Sequence, residues 1–128
     1  MKKNFFGLII MFMVFSVTVY AQSGNSTDLL LPEGEAWIKA TGNLSSGYIF
    51  QSDEICFSVN NYDGENIGEW VIVAENTWVV SGNTIIITST NSGAARDYNY
   101  KISDNTLTLD FWGTIDTYTK TSGIKPVR

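Results

Sequence analysis

The sequence predicts an all-β protein, an antiparallel up-and-down β-barrel of about eight strands preceded by a signal peptide. Two observations carry the barrel. Short strand-like segments follow one another at even spacing with no helical periodicity after the first 21 residues. One hairpin unit is also written twice, as Trp78-Val79-Val80-Ser81-Gly82-Asn83-Thr84-Ile85-Ile86-Ile87-Thr88 and as Tyr100-Lys101-Ile102-Ser103-Asp104-Asn105-Thr106-Leu107-Thr108-Leu109-Asp110. A third observation carries the leader: Met1-Lys2-Lys3 precedes an apolar run from Phe5 to Val19 and then Val19-Tyr20-Ala21.

The leader is a secretory signal peptide over residues 1–21, cleaved after Ala21, with an N-terminal membrane anchor as the competing reading. The run is shorter than the roughly 20 residues of a spanning helix, and the polar stretch Gln22 to Thr27 follows at once. Cleavage leaves 107 of the 128 residues, one small domain. It removes two of the eight basic residues, so six Lys and Arg face 13 Asp and Glu, a net charge of −7. That charge disfavours nucleic acid and anionic membrane surfaces as partners. The expected location is secreted or periplasmic, with no membrane association once the leader is gone. Cys56 is the single cysteine, so no internal disulfide forms and the domain relies on its apolar core.

Gln22 to Glu35 reads as a linker whose leucines, Leu29 to Leu31, are placed to dock on a barrel end, and the domain proper runs over 36–128. Trp37 to Ala40 is a first strand, Gly42 to Gly47 a loop, and Tyr48 to Phe50 a second strand. A third, Glu54 to Asn60, sets Ile55, Phe57 and Val59 against Glu54, Cys56 and Ser58. Asn60 to Gly64 is a turn cluster or a calcium loop; the alternating acids and the closing Glu of a calcium loop are missing. Gly68 to Glu75 is a fourth strand, with Trp70, Ile72 and Ala74 on one face.

The repeated hairpins follow, with two-residue turns at Gly82-Asn83 and Asp104-Asn105, residue types that tolerate positive φ. In the second hairpin the turn pairs Ile102 with Leu107, Tyr100 with Leu109 and Tyr98 with Phe111 on an apolar face. Lys101–Thr108 and Asn99–Asp110 fall on a polar face. In the first hairpin Trp78, Val80, Ile85 and Ile87 share one face and Val79 and Ile86 the other, so its outer side calls for a cover. Thr114 to Thr121 is the last strand.

Several of these residues carry a family resemblance. Gly68-x-Trp70, the Val80 to Ile87 hairpin, Tyr98-x-Tyr100-x-Ile102-Ser103-x-Asn105-Thr106-Leu107-Thr108-Leu109 and Thr117-Tyr118-Thr119-Lys120 resemble small secreted bacterial lipocalin-like domains. The likeness is strong over residues 68–121 and weak over 37–67. Lipocalins carry Gly-x-Trp in the first strand, whereas Trp37 here stands in Gly34-Glu35-Ala36-Trp37, one residue off. The resemblance implies a small calyx-type barrel.

The chemistry available is narrow. With no His there is no Ser-His-Asp or Cys-His nucleophile and no His-based zinc site, and there is no Gly-rich phosphate loop. No cofactor or metal is called for. Glu69, Glu75, Asp97, Asp110 and Asp116 are strand acids that a solvated barrel exterior explains, and a glycosidase would need two of them face to face. Aromatics make the better case. An eight-stranded barrel is just wide enough to be filled by side chains or to hold one small ligand. The candidate ligand-binding residues are Trp37, Phe50, Phe57, Trp70, Trp78, Tyr98 and Tyr100, with Trp70 and Trp78 placed in a dry luminal pocket. Trp112, on the polar face beside Gly113, is the candidate partner contact. The leading expectation is therefore a non-enzymatic secreted barrel that binds a small hydrophobic or amphipathic ligand. The alternative is a protein-interaction or inhibitor module with a filled core, and an enzyme is the weakest reading.

Overall fold

A computed structural model describes residues 26–62 and 69–127. The leader, its cleavage site and Asp63 and Gly64 of the turn cluster lie outside the described residues. Eight strands follow in order: β1 (Ala36–Thr41), β2 (Leu44–Phe50), β3 (Ile55–Tyr62), β4 (Val71–Ser81), β5 (Thr84–Ser89), β6 (Ala95–Ser103), β7 (Thr106–Phe111) and β8 (Thr114–Thr121). Each is hydrogen-bonded antiparallel to the next, and β8 returns to β1 through Ala36↔Thr121, Trp37↔Lys120 and Ile38↔Thr119. The sheet is therefore a closed barrel in up-and-down order. Closure leaves no long edge open to another chain.

The second hairpin has the register its side chains dictate. Tyr100 pairs with Leu109, Ile102 with Leu107, Lys101 with Thr108 and Asn99 with Asp110. Tyr98 and Phe111 meet with ring centroids 5.6 Å apart. The first hairpin pairs Val80 with Ile85 and Trp78 with Ile87, turning Ile85 and Ile87 into the core. Its outer face is not covered as expected, since Val79 is 52% exposed. Positive φ falls on Gly82 and Asp104, the first residue of each turn.

Three strand boundaries differ from expectation. β2 begins at Leu44, because Gly42-Asn43 forms a third two-residue turn that pairs Thr41 with Leu44. Asn60, Asn61 and Tyr62 extend β3, paired to Ser46, Ser45 and Leu44, instead of turning. The fourth strand and the first arm of the next hairpin are one 11-residue strand, β4, running straight through Asn76. Buried Asn76 is tolerated there because its amide donates to the Cys56 carbonyl at 3.2 Å and the Ser58 hydroxyl at 3.0 Å.

A register shift opposite Ser58 and Val59 places Val73 as an extra residue in β4, a bulge. It leaves Val71 to Glu75 beyond β5, whose pairing starts at Asn76. The C-terminal tail uses this stretch: Ile72 N–H donates to Val127 O at 3.0 Å and Val127 N–H to Trp70 O at 2.9 Å.

The segment before β1 plugs one end of the barrel. A 3₁₀ turn, Ser26–Leu29, delivers Leu29 into the core, and Leu30 bridges to Phe50. The Trp37 indole N–H donates to the Leu29 carbonyl at 3.1 Å, and Lys120 Nζ lies 5.8 Å over the same ring. Residues 26–35 are thus part of the closed end. The other end carries the Gly42-Asn43 and Trp112-Gly113 turns and the 90–94 connection. Among the described residues, no helix is long and apolar enough to cross a membrane.

Candidate functional site

Alternation along the strands decides which side chains line the lumen. Trp37, Phe50, Trp78, Tyr98 and Tyr100 all lie on the inward face. Trp37 is fully buried at the plugged end, and Phe50 meets Trp78 edge-on with ring centroids 5.2 Å apart. Trp78 also donates its indole N–H to Gln51 O at 3.0 Å.

Two expected residues lie elsewhere. Phe57 pairs with Ile49 and Glu75 on the outer face, while its neighbour Cys56, opposite Phe50 and Asn76, points inward and is fully buried. The apolar set of β3 thus faces out and its small polar set faces in. The cause is a second apolar layer outside the barrel, where Val59 is fully buried and Ile124 of the tail is 3% exposed. Trp70 precedes β4 and is half-buried at the tail, so the placement of Trp70 with Trp78 in one luminal pocket does not hold. A groove of about 1160 Å³ lies on this outer side, lined by Ile49, Phe57, Ile72, Leu31, Ile124 and Pro126 among others.

The lumen holds polar groups that sequence reasoning left out. The rings of Tyr48 and Tyr118 stand 5.6 Å apart. The phenols of Tyr98 and Tyr118 both neighbour Tyr48 electrostatically. Burial first, and neighbouring phenols next, push the Tyr48 hydroxyl well above its usual ionisation range. Burial and then the Asp116 carboxylate do the same for Tyr118, and burial alone raises the Cys56 thiol. Cys56 is therefore a packed, neutral thiol, not a nucleophile.

Toward the end opposite the plug, Lys39 and Asp116 face inward and form an ion pair at 3.0 Å, with Lys39 Nζ 5.7 Å over the Tyr118 ring. Asp116 is thus not one of the exterior acids, and it faces a lysine instead of a second carboxylate. Among the described residues, no three His, Cys, Asp or Glu side chains come together in a way that could hold a metal. The signals were present in Trp37-x-Lys39 and Asp116-x-Tyr118, each sharing a face by period two. At the rim, Arg96 lies 5.3 Å over Phe111, and Trp112 is 91% exposed in the β7–β8 turn at φ 54°.

The profile of the lipocalin-like domain matches residues 15–109, about three-quarters of the chain. The chain belongs to the lipocalin-like domain family. The match starts at residue 15 and ends at Leu109 within β7, so it reaches further toward the N-terminus than the motifs that suggested it. Neither the curated proteins nor the solved structures compared with this lipocalin-like chain contain a match.

Proposed function

We propose that this lipocalin-like protein is an exported, non-enzymatic binding protein that holds a small amphipathic ligand in its lumen. One observation carries the reading: the barrel is plugged at one end by Leu29 and Trp37, while its inward wall joins aromatic rings to the hydroxyls of Tyr48, Tyr98 and Tyr118. Ligand sites combine apolar walls with a few placed polar groups in this way. A ligand reaches the lumen from the Trp112 end. The chain has no His, and among the described residues Asp116 faces Lys39 instead of a second carboxylate, which supports the non-enzymatic reading. Export follows from the leader and gives a mature chain starting at Gln22, which N-terminal sequencing of the exported protein checks.

The test of binding is tryptophan emission on titration with the neutral probe N-phenyl-1-naphthylamine. Emission should shift at micromolar probe, and Trp78→Phe should remove most of the shift, because Trp78 is the half-buried luminal tryptophan. No response from the intact protein would sink the reading. Trp112 favours a second reading. Its 91% exposure beside Ile115, 62% exposed, suits a protein contact at the rim. Partner capture that survives Trp78→Phe but is lost in Trp112→Ala would put the working surface there.

A further inference from the structure

The groove of about 1160 Å³ beside the C-terminal tail has an apolar floor and an acidic end. On the floor, Ile49 and Phe57 pair across β2 and β3, Ile72 of β4 stands opposite Val59, and Ile124 comes from the tail. The acids lie at the plugged end, where Leu30 bridges to Phe50. Glu33 comes from the segment before β1 and Asp53 from the β2–β3 turn, both exposed, and Glu35 is half-buried in the same lining. Among the described lining residues Lys125, exposed on the tail, is the one cation. Neighbouring charges add to the acid. Glu54 follows Asp53 in the turn, and Glu75 pairs with Phe57 on the outer face. Lys39 and Lys120 are turned into the barrel over the rings of Tyr118 and Trp37, and Arg96 stands on β6, three strands away from β3.

We propose that this groove is a second binding site, separate from the lumen, and that it takes a cationic amphiphile of the long-chain amine type. The methylene chain lies along Ile49, Phe57 and Ile72, and the charged head sits between Glu33 and Asp53. The volume is at the upper end for small-molecule sites, roughly 1,000 Å³, and the make-up is theirs, apolar walls with a few placed polar groups. The head stays at an open, solvated end, so the cation keeps part of its water and escapes the cost of full burial. Three carboxylates against one lysine attract a cation there and repel an anion. The site stands whether or not the lumen binds a ligand.

The experiment titrates the chain from Gln22 with dodecyltrimethylammonium and with dodecanoate, each below its aggregation concentration, by calorimetry and isoleucine-methyl NMR. One dodecyltrimethylammonium should bind per chain, at least about tenfold tighter than dodecanoate at pH near 7 and low salt. It should shift the Ile49 and Ile72 methyls more than those of Ile85 and Ile87 in the core. Glu33→Gln combined with Asp53→Asn should weaken it by about fivefold or more. Asn at position 53 can still accept the Ile55 N–H that Asp53 accepts at 3.2 Å, so the turn is kept. Asp97→Asn combined with Asp104→Asn removes the same charge from exposed positions on β6 and its turn, and should change the affinity by less than about twofold. Equal weakening by the two double variants overturns the proposal, as do absent binding, tighter dodecanoate, or shifts confined to Ile85 and Ile87. Ile49 and Ile72 shifts that follow protein concentration without ligand would give the groove to a second copy and overturn it. Contacts from residues 22–25 to Ile49 in the free chain would give it to the chain's own N-terminus, with the same result.

Discussion

Replacing Gly47 with Ala tests the closing geometry of the barrel. Gly47 lies in β2 opposite Ile38 of β1, beside Trp37. Its φ is ordinary, so glycine's conformational freedom is not the reason for its presence. Space is. A Cβ there would land on the carbonyl oxygen of Trp37, with the Trp37 carbonyl carbon and Ile38 Cδ1 both at 2.8 Å, where ordinary contact begins at 3.4 Å. The Ile38 methyl can swing away, but the Trp37 carbonyl is backbone within the β1–β2 ladder. Relief therefore means moving β1 away from β2, at the residue whose indole holds Leu29 in the plug. Overpacking of this kind costs about 3 kcal/mol, and alanine's smaller unfolded-state entropy returns only about 0.5 of it. Gly82→Ala is the control. Its Cβ meets nothing within 4 Å, but its φ of 62° costs an L-residue about 1 kcal/mol. With a urea slope of about 1.3 kcal/mol/M, the midpoint should fall by about 2 M for Gly47→Ala and by less than about 1 M for Gly82→Ala. A midpoint for Gly47→Ala at or above that of Gly82→Ala would refute the steric argument.

Three further outcomes are expected. Tyr100→Ala and Leu109→Ala should each cost about 2–5 kcal/mol, since the pair is buried face to face, whereas exposed Lys101→Ala should cost under about 0.5 in the same urea melts. Trp112→Asn should stabilise the protein by about 0.5–1 kcal/mol in the same melts, because it relieves a bulky side chain at φ 54° while the Gly113 N–H to Asp110 carboxylate bond of 2.8 Å remains; a clear loss of stability would contradict this. Alkali should destabilise the protein. The unfolded chain releases the thiol near 9.0 and phenols near 10.0, and burial raises Cys56, Tyr48 and Tyr118 in the fold. The stability these groups contribute is complete below about pH 9 and is lost progressively above it. Full tyrosinate absorbance with native circular dichroism at about pH 11 would count against that.

The legible parts of the fold are those where one strand pair carries its own pattern. In β6 and β7 the apolar and polar sets alternate cleanly across the Asp104-Asn105 turn, so a one-residue slip would invert both faces. Gly42-Asn43 was as readable as Gly82-Asn83, but Ser45, Ser46 and Gly47 carry no apolar alternation to mark a strand. The join through Asn76 was hidden because its bonds to Cys56 and Ser58 come from a strand some 20 residues away. Lys39 and Asp116 pair across 77 positions, and only the closure of β8 on β1 brings them into one mouth.

By itself the sequence determined the strand-rich class, the hairpin registers after Trp78, the luminal side of Trp37, Phe50, Trp78, Tyr98 and Tyr100, and the exposure of Trp112, because each follows from period-two alternation and turn chemistry acting over short distances. Only the tertiary structure decided which face of β3 is inside. In isolation Ile55, Phe57 and Val59 look like the core face and Cys56 and Ser58 the wet one. The tail packs outside the barrel at Ile124 and gives the apolar face a cover, while Asn76, bonded to the Cys56 carbonyl and the Ser58 hydroxyl, gives the small polar face a partner inside. Alternation sorts side chains into two faces. Which of the two is buried depends on what the rest of the chain lays against each.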